Sequence, residues 1–301
     1  MNEPSSPASK SKAKKVISLL LKIIVTLFCF WYISTKINFG SSVKALFNAN
    51  WWFLFIGVLL YAVSKLVSAF RLNINFRSIK LTLNEWDNIK LYWLGMFYNL
   101  FLPGSIGGDA YKVILLNKKL GAPYKKTSIA VLLDRFSGLL GLGIILAIYG
   151  ILVFHDPLLR GLLIAGALLA VVVLYFVIRF FFKDFVGGFA ITLVLGIVVQ
   201  AIQVLCIYCI LLSLHEPLKS EWILIFLIAS SVSVFPVSMG GGLGTRELVF
   251  SEGARYFILS QELGVTISLL FFLCNLLSCI WGAYFIFRNP LSSNNSLKPN
   301  A

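Results

Sequence analysis

Eight apolar runs divide the chain: residues 16–35, 51–70, 88–102, 127–153, 158–182, 186–214, 221–236 and 263–287. A ninth, shorter stretch, roughly 246–259, is amphipathic. Six of the eight approach or exceed the ~20 residues of helix that cross a bilayer core. The other two are short: 88–102 and 221–236 make only about 22 Å and 24 Å of helix at 1.5 Å per residue. Each of these runs into a Pro/Gly-rich loop. The pattern predicts an all-α polytopic membrane protein with six full transmembrane helices and two re-entrant hairpins.

The loops after the two short runs share a pattern. Pro103-Gly-Ser105-Ile-Gly107-Gly108 and Pro236-Val-Ser238-Met-Gly240-Gly241 both read P-x-S-hydrophobic-G-G. Paired Gly/Pro-interrupted short segments point to an internal repeat and to a binding site between its halves. Proline ends the descending limb, glycine permits the sharp return, and irregular backbone at membrane depth survives only inside protein or along a watery cavity. Both tips are therefore expected to line a polar cavity.

Composition strengthens the membrane reading. Hydrophobic residues make up 59% of the 301 and charged residues 13%, against about 25% charged in soluble domains. Residues 1–15 read as a disordered basic tail, 16–288 as one membrane domain and 289–301 as a second disordered tail, which leaves no soluble catalytic domain. The run after Lys10, Lys12, Lys14 and Lys15 is too long for a signal-peptide core, and Ser34-Thr35-Lys36 is a poor cleavage site, so it reads as an uncleaved helix.

The formal charge of +14 would suggest nucleic acid on a soluble protein. Here the basic residues flank apolar runs, so they report orientation and no nucleic-acid partner is expected. With the N-terminus inside and both short runs re-entrant, Lys36, Lys44, Arg160, Lys219, Arg246 and Arg255 fall outside, Lys22, Lys65 and Arg135 fall within spans, and every other Lys and Arg falls inside. That asymmetry obeys the positive-inside rule. It predicts a multi-pass protein of the cell (inner) membrane with both termini cytoplasmic. The same layout makes the repeats, about 51–153 and 186–287, inverted relative to each other.

The candidate chemistry lies at the tips and in one helix. Asp109 follows the first tip and reads as an N-cap, or as an acid biasing the tip toward a cation or proton; Lys112 is its helical neighbour and neutralises it. The second tip has Gly242 at the equivalent position, and Gly240, Gly241, Gly242 and Gly244 offer a nest of N–H groups for an anion, with Arg246 as a phosphate-type ligand. The plain alternative is an Arg246–Glu247 pair at the outer surface. Asp134 and Arg135 lie inside a span and, being adjacent, each need a partner on another helix; Arg135 alternatively snorkels. Lys65 and Arg71 read as snorkelling anchors, and Gln200 and Gln203 as helix glue or ligand contacts. Cys206 and Cys209 form a C-x-x-C without a second ligand pair and read as small buried hydrophobes; no metal or other cofactor is expected.

Asn99-x-x-Leu-Pro-Gly-x-x-Gly-Gly-Asp109, the pair Asp134-Arg135, and Pro236-x-Ser238-x-Gly-Gly-x-Gly-x-Arg246-Glu247 together resemble the lysylphosphatidylglycerol synthase transmembrane-region family, also called the flippase-like domain family. Its best-known module is the N-terminal membrane domain of the multiple peptide resistance factor, and the resemblance covers roughly 15–288. It implies a helical lipid-handling protein with two re-entrant hairpins. The resistance factor carries a cytosolic aminoacyl-transferase domain that these residues lack, so lipid synthesis is not implied.

The expected function is flippase-like movement of a polar or aminoacylated phospholipid between leaflets. The expected site is Asn99, Ser105, Gly107, Gly108, Asp109, Lys112, Asp134, Arg135, Ser238, Gly240, Gly241, Gly242, Gly244, Arg246 and Glu247. Asp109 and Asp134 would hold a cationic group or proton, and the second-tip glycines and Arg246 a phosphate. Two alternatives stand beside it: a membrane-embedded headgroup transferase using Asp109, Asp134 or Glu247 as general base, and a non-catalytic membrane partner of a separate lipid-modifying enzyme.

Overall fold

A computed structural model describes Trp31 and residues 48–101, 107–234, 242–287, 290–291 and 296–297. Helix α1 spans Trp51–Ser78, α2 Glu85–Phe101, α3 Gly107–Leu120, α4 Tyr124–Val153, α5 Pro157–Phe181, α6 Phe189–Ser213, α7 Ser220–Ser233, α8 Thr245–Tyr256, α9 Gln261–Cys279 and α10 Tyr284–Phe287. Short 3-10 turns lead into α6 and join α9 to α10. The one strand pair among the described residues is two residues long and antiparallel, Leu81–Thr82 with Ser296–Leu297.

Among the described residues, five helical stretches are long and apolar enough to cross a membrane: Trp51–Ser78, Tyr124–Val153, Pro157–Phe181, Lys183–Ser213 and Gln261–Phe287. They coincide with five of the six expected spans. The sixth, 16–35, lies outside the described residues apart from helical Trp31, as do most of both expected tails. The spanning helices carry a lipid-type exterior. Leu162, Leu168, Phe176 and Phe180 on α5 and Ile191 and Val194 on α6 are all exposed, and Trp51, Trp52, Trp86 and Trp281 stand out near helix ends, where indole rings favour the membrane–water interface.

Local signals set the helix boundaries. Asn50 caps α1 by accepting from the Trp52 N–H at 3.1 Å, and Ser260 caps α9 through the Leu263 N–H at 3.3 Å. Asp156 caps α5 through the Leu159 N–H, with Pro157 at its first position. Helix α1 outruns its apolar stretch by eight residues. Arg71, Asn73 and Asn75 are polar yet buried; Asp134 pairs with Arg71 and Leu83 O accepts from the Asn73 amide at 3.4 Å, while Asn75 Nδ2 has no hydrogen-bond partner among the described residues. Hydropathy ends the segment at Phe70; tertiary hydrogen bonding carries it to Ser78.

Helices α1, α4 and α6 form the centre of the bundle, with α6 packed along both others. Small residues set the spacing between α4 and α6: a Cβ at Gly141 would lie 2.5 Å from the Gly196 carbonyl carbon, and one at Gly196 2.6 Å from Ser137 O. Such close backbone approach gives membrane helices the dispersion contact that lipid-exposed leucines cannot. Cys206 lies in the same core and its Sγ donates to Gly57 O at 3.3 Å.

The two short apolar runs each form half of a helix pair. In the first, α2 and α3 lie antiparallel: the rings of Tyr98 and Tyr111 are 4.6 Å apart, and a Cβ on Gly108 would sit 1.8 Å from Gly95 O. In the second, α7 and α8 lie antiparallel, with Gly253 against Ile225 and Gly242 against Ser233. The tips 102–106 and 235–241 lie outside the described residues, and with them Ser105, Ser238, Gly240 and Gly241.

Candidate functional site

Two buried polar regions share Tyr92. The first is a set of ion pairs among α1, α3 and α4. Arg71 Nε and Nη2 reach Asp134 Oδ1 and Oδ2 at 2.7 and 3.2 Å, a two-pronged contact. Asp109 takes Lys112 Nζ on one oxygen at 3.0 Å and Arg135 Nε on the other. Adjacent residues on α4 thus reach in different directions, Asp134 to α1 and Arg135 to α3, and the expected cross-helix partners are present.

Several expectations change here. Asp109 lies in the first turn of α3, and its carboxylate bonds side chains instead of capping the helix. Arg71 is buried and paired, not a snorkelling anchor. Three cations, Arg71, Lys112 and Arg135, answer two carboxylates, so the region has no excess negative charge with which to hold a cationic ligand. The glycines around it serve packing. Gly108 donates its N–H to Asn99 Oδ1 at 2.8 Å beside Gly95, and a Cβ on Gly138 would lie 2.9 Å from Arg71 Nη1. Gly107 starts the described part of α3 one residue earlier. Gln200 joins this side, its amide 3.5 Å from Gly138 O.

The second region is a polar cavity of about 270 Å³. Tyr61 and Lys65 reach it from α1, Asn99 from α2 and Gln203 from α6. Ser230 and Ser233 of α7, Arg246 of α8, and Phe271 and Asn275 of α9 close it. Lys65 is 14 residues from one end of α1 and 13 from the other, which is about 20 Å of helix on each side. Gln203 and Phe271 are likewise well inside α6 and α9.

Arg246 dominates this cavity. It is 5% exposed, its guanidinium lies 4.5 Å from the centre of the Phe271 ring, and Nε and Nη2 have no hydrogen-bond partner among the described residues. The expected surface pair with Glu247 is absent. Glu247 is 1% exposed and turns away, accepting from the Gly244 N–H at 2.6 Å and Ser268 Oγ at 2.8 Å. Gly244, at φ +85°, therefore spends its N–H on Glu247 and not on an anion; Gly242, at φ +106°, lets the chain pass Ser233 where a Cβ would meet Oγ at 2.5 Å. Lys65 Nζ stands 4.6 Å from the Tyr61 ring centre. No carboxylate lines the cavity among the described residues. Tyr92 forms part of its wall, and Lys112 Nζ of the ion-paired region stands 4.3 Å from the centre of that ring.

Of the expected site residues, the cavity gathers Asn99 and Arg246, with Gly242 beside Arg246. Asp109, Lys112, Asp134 and Arg135 belong to the ion-paired region, and Glu247 to the α8–α9 contact. Asp109, Asp134 and Glu247 each accept from donors within the fold. Lys65, Asn275 and the serines of α7 were missed. The available signal for Lys65 was a lysine deep in a span, where ionisable residues mark function by default. A larger cleft of about 600 Å³ separates α4 from α5, but aliphatic side chains such as Leu133, Ile144, Leu163 and Leu174 line it, so it offers no directed polar chemistry.

The family model for the lysylphosphatidylglycerol synthase TM region matches residues 19–282. A UPF0104 membrane protein of Pyrococcus horikoshii is 25% identical over 175 residues, covering 57% of this chain and 51% of that protein. The chain thus aligns with about half the length of this curated relative. With nearly its whole membrane body matched, the chain belongs to the lysylphosphatidylglycerol synthase TM region family.

Proposed function

We propose that the chain is a flippase-like transporter that moves a polar phospholipid between leaflets. In this reading α2/α3 and α7/α8 are re-entrant hairpins entering from opposite faces of the cell membrane, within inverted repeats 51–153 and 186–287, and both termini are cytoplasmic. The observation that carries it is the placement of the polar cavity, far inside spanning helices α1, α6 and α9 and against residues of both helix pairs. A polar cavity at that depth, where irregular backbone and unpaired charge are costly, marks a substrate path. The packing supports the repeat: α4 rests on α6 and α7 as α9 rests on α1 and α2. The ion pairs joining α4 to α3 and to α1 are then a closed contact that opens and re-forms as the cavity changes sides.

The test uses vesicles reconstituted with the full chain and trace phospholipids labelled on an acyl chain with a fluorophore that dithionite bleaches. Dithionite does not cross the bilayer, so protein-free vesicles lose only the outer-leaflet signal. Bleaching that continues into the inner-leaflet pool with wild type, and stops with Arg246→Gln, supports transport. Bleaching that halts at the outer leaflet for every headgroup tried overturns it.

A further inference from the structure

Among the described residues the central cavity is lined by cations and by no carboxylate, and Glu247, the acid next to Arg246 in sequence, is held by the Gly244 N–H and Ser268 Oγ. Arg246 is buried with two guanidinium nitrogens unpartnered among the described residues, and Lys65 lines the same space. A buried cation left unpaired is costly, and an incoming anion removes that cost. The planar guanidinium fork matches phosphate oxygens two at a time, while an ammonium acts as a point charge. Around them Asn99, Gln203, Asn275, Ser230 and Ser233 offer neutral donors and acceptors, suited to ester and hydroxyl oxygens. The volume, about 270 Å³, lies just under the ~300 Å³ lower end of small-molecule sites. It has room for a headgroup and leaves the acyl chains outside.

We infer that the cavity is a phosphate-ester site for the headgroup of a net-anionic phospholipid, with Arg246 as the principal ligand and Lys65 as the second charge, and that it disfavours lipids carrying an added cationic aminoacyl group. An extra ammonium would be placed beside two cations with no carboxylate among the described lining residues to receive it. The surplus carboxylate that such a group needs is not found next door either, because Asp109 and Asp134 are already held by Lys112, Arg135 and Arg71. The inference deepens the transporter reading and rests on it only for the lipid being cargo; the binding site itself is tested without transport.

The full chain in a neutral detergent is titrated with dihexanoyl phosphatidylglycerol, its lysyl ester, dihexanoylglycerol, glycerol phosphate and inorganic phosphate, reading binding by calorimetry and by the melting temperature. Phosphatidylglycerol is expected to bind about tenfold or more tighter than either the phosphate-free diacylglycerol or the lysyl ester. Arg246→Gln is expected to weaken phosphatidylglycerol about tenfold or more, and Lys65→Gln by a smaller factor, with ligand-free melting temperatures held. Arg246→Lys should fall between, keeping the charge but not the fork. Should Arg246→Gln fail to fold, Lys65→Gln carries the same comparison.

The site assignment is overturned if diacylglycerol binds as well as phosphatidylglycerol, or if the folded variants bind like wild type. A lysyl ester that binds tighter than phosphatidylglycerol overturns the charge selectivity. Glycerol phosphate or inorganic phosphate binding as tightly as the lipid overturns the lipid source and assigns the cavity to a free phosphate ester. Binding that follows this pattern without bleaching of the inner-leaflet pool sinks transport and leaves the site; transport without such binding sinks the site alone.

Discussion

Two buried charged regions meet at Tyr92, and they are built on opposite logic. Around Asp109 and Asp134 every carboxylate has its cation, and the charges bind helices α1, α3 and α4 to one another. Around Arg246 and Lys65 the cations face an open cavity and an aromatic ring each. Paired buried charges resist the loss of either partner, whereas an unpaired one is costly to the fold until a ligand supplies its counter-charge. Burial and charge alone do not separate the two roles. What does is whether the fold already supplies the counter-charge.

The sharpest way to break the comparison is to remove one partner from each region. Asp134→Ala strands a buried Arg71, and breaking such a pair costs about 3–5 kcal/mol. It should appear as a large drop in melting temperature in detergent, with recovery when Arg71 is replaced by Met in the same chain. Arg246→Gln should do the reverse, holding or raising the melting temperature while transport falls. Losing hydrogen bonds to a charged group, about 1.5–3 kcal/mol, corresponds to at least tenfold in rate. If Arg246→Gln destabilises as Asp134→Ala does, the cavity arginine is structural and the contrast fails.

Gly108→Ala tests whether the first helix pair depends on backbone contact. A methyl placed 1.8 Å from Gly95 O must push α3 off α2, and overpacking of this kind typically costs about 1–3 kcal/mol. A melting temperature unchanged by the substitution would mean that the pair has slack. The smallest effect is expected at the half-exposed pair Arg77–Glu85, where surface ion pairs contribute about 0–1 kcal/mol. Glu85→Gln should leave both melting and transport within error, and it calibrates the buried substitutions.

The second tip shows how a correct residue can be read for the wrong reason. Arg246 was legible as a phosphate-type ligand because it follows a glycine run, but the glycines were to be its co-ligands. Gly244 instead gives its N–H to Glu247, Gly240 and Gly241 lie outside the described residues, and the neighbours of Arg246 in the cavity come from α1, α2, α6, α7 and α9. Lys65 shows the converse. Sequence spacing puts it near the inner end of an apolar run ending at Phe70, where snorkelling is the natural reading. The helix continues to Ser78, which moves Lys65 to its middle.

The apolar runs by themselves determined the helical membrane class, five of the spans and the existence of two short helix pairs, because the length and hydropathy of a segment respond to the bilayer without reference to any other segment. The paired acid and base on α4 were also readable, since adjacent helical residues point apart and must find separate partners. Which cation was neutralised and which was left facing a cavity could not be read this way. That depends on where Asp109, Asp134 and Glu247 come to rest relative to Arg71, Arg135 and Arg246. Those distances are set by side chains that are 21 to 63 positions apart in the chain where they meet, such as Glu247 with Ser268, Asp109 with Arg135, and Arg71 with Asp134. Only helix packing brings them together.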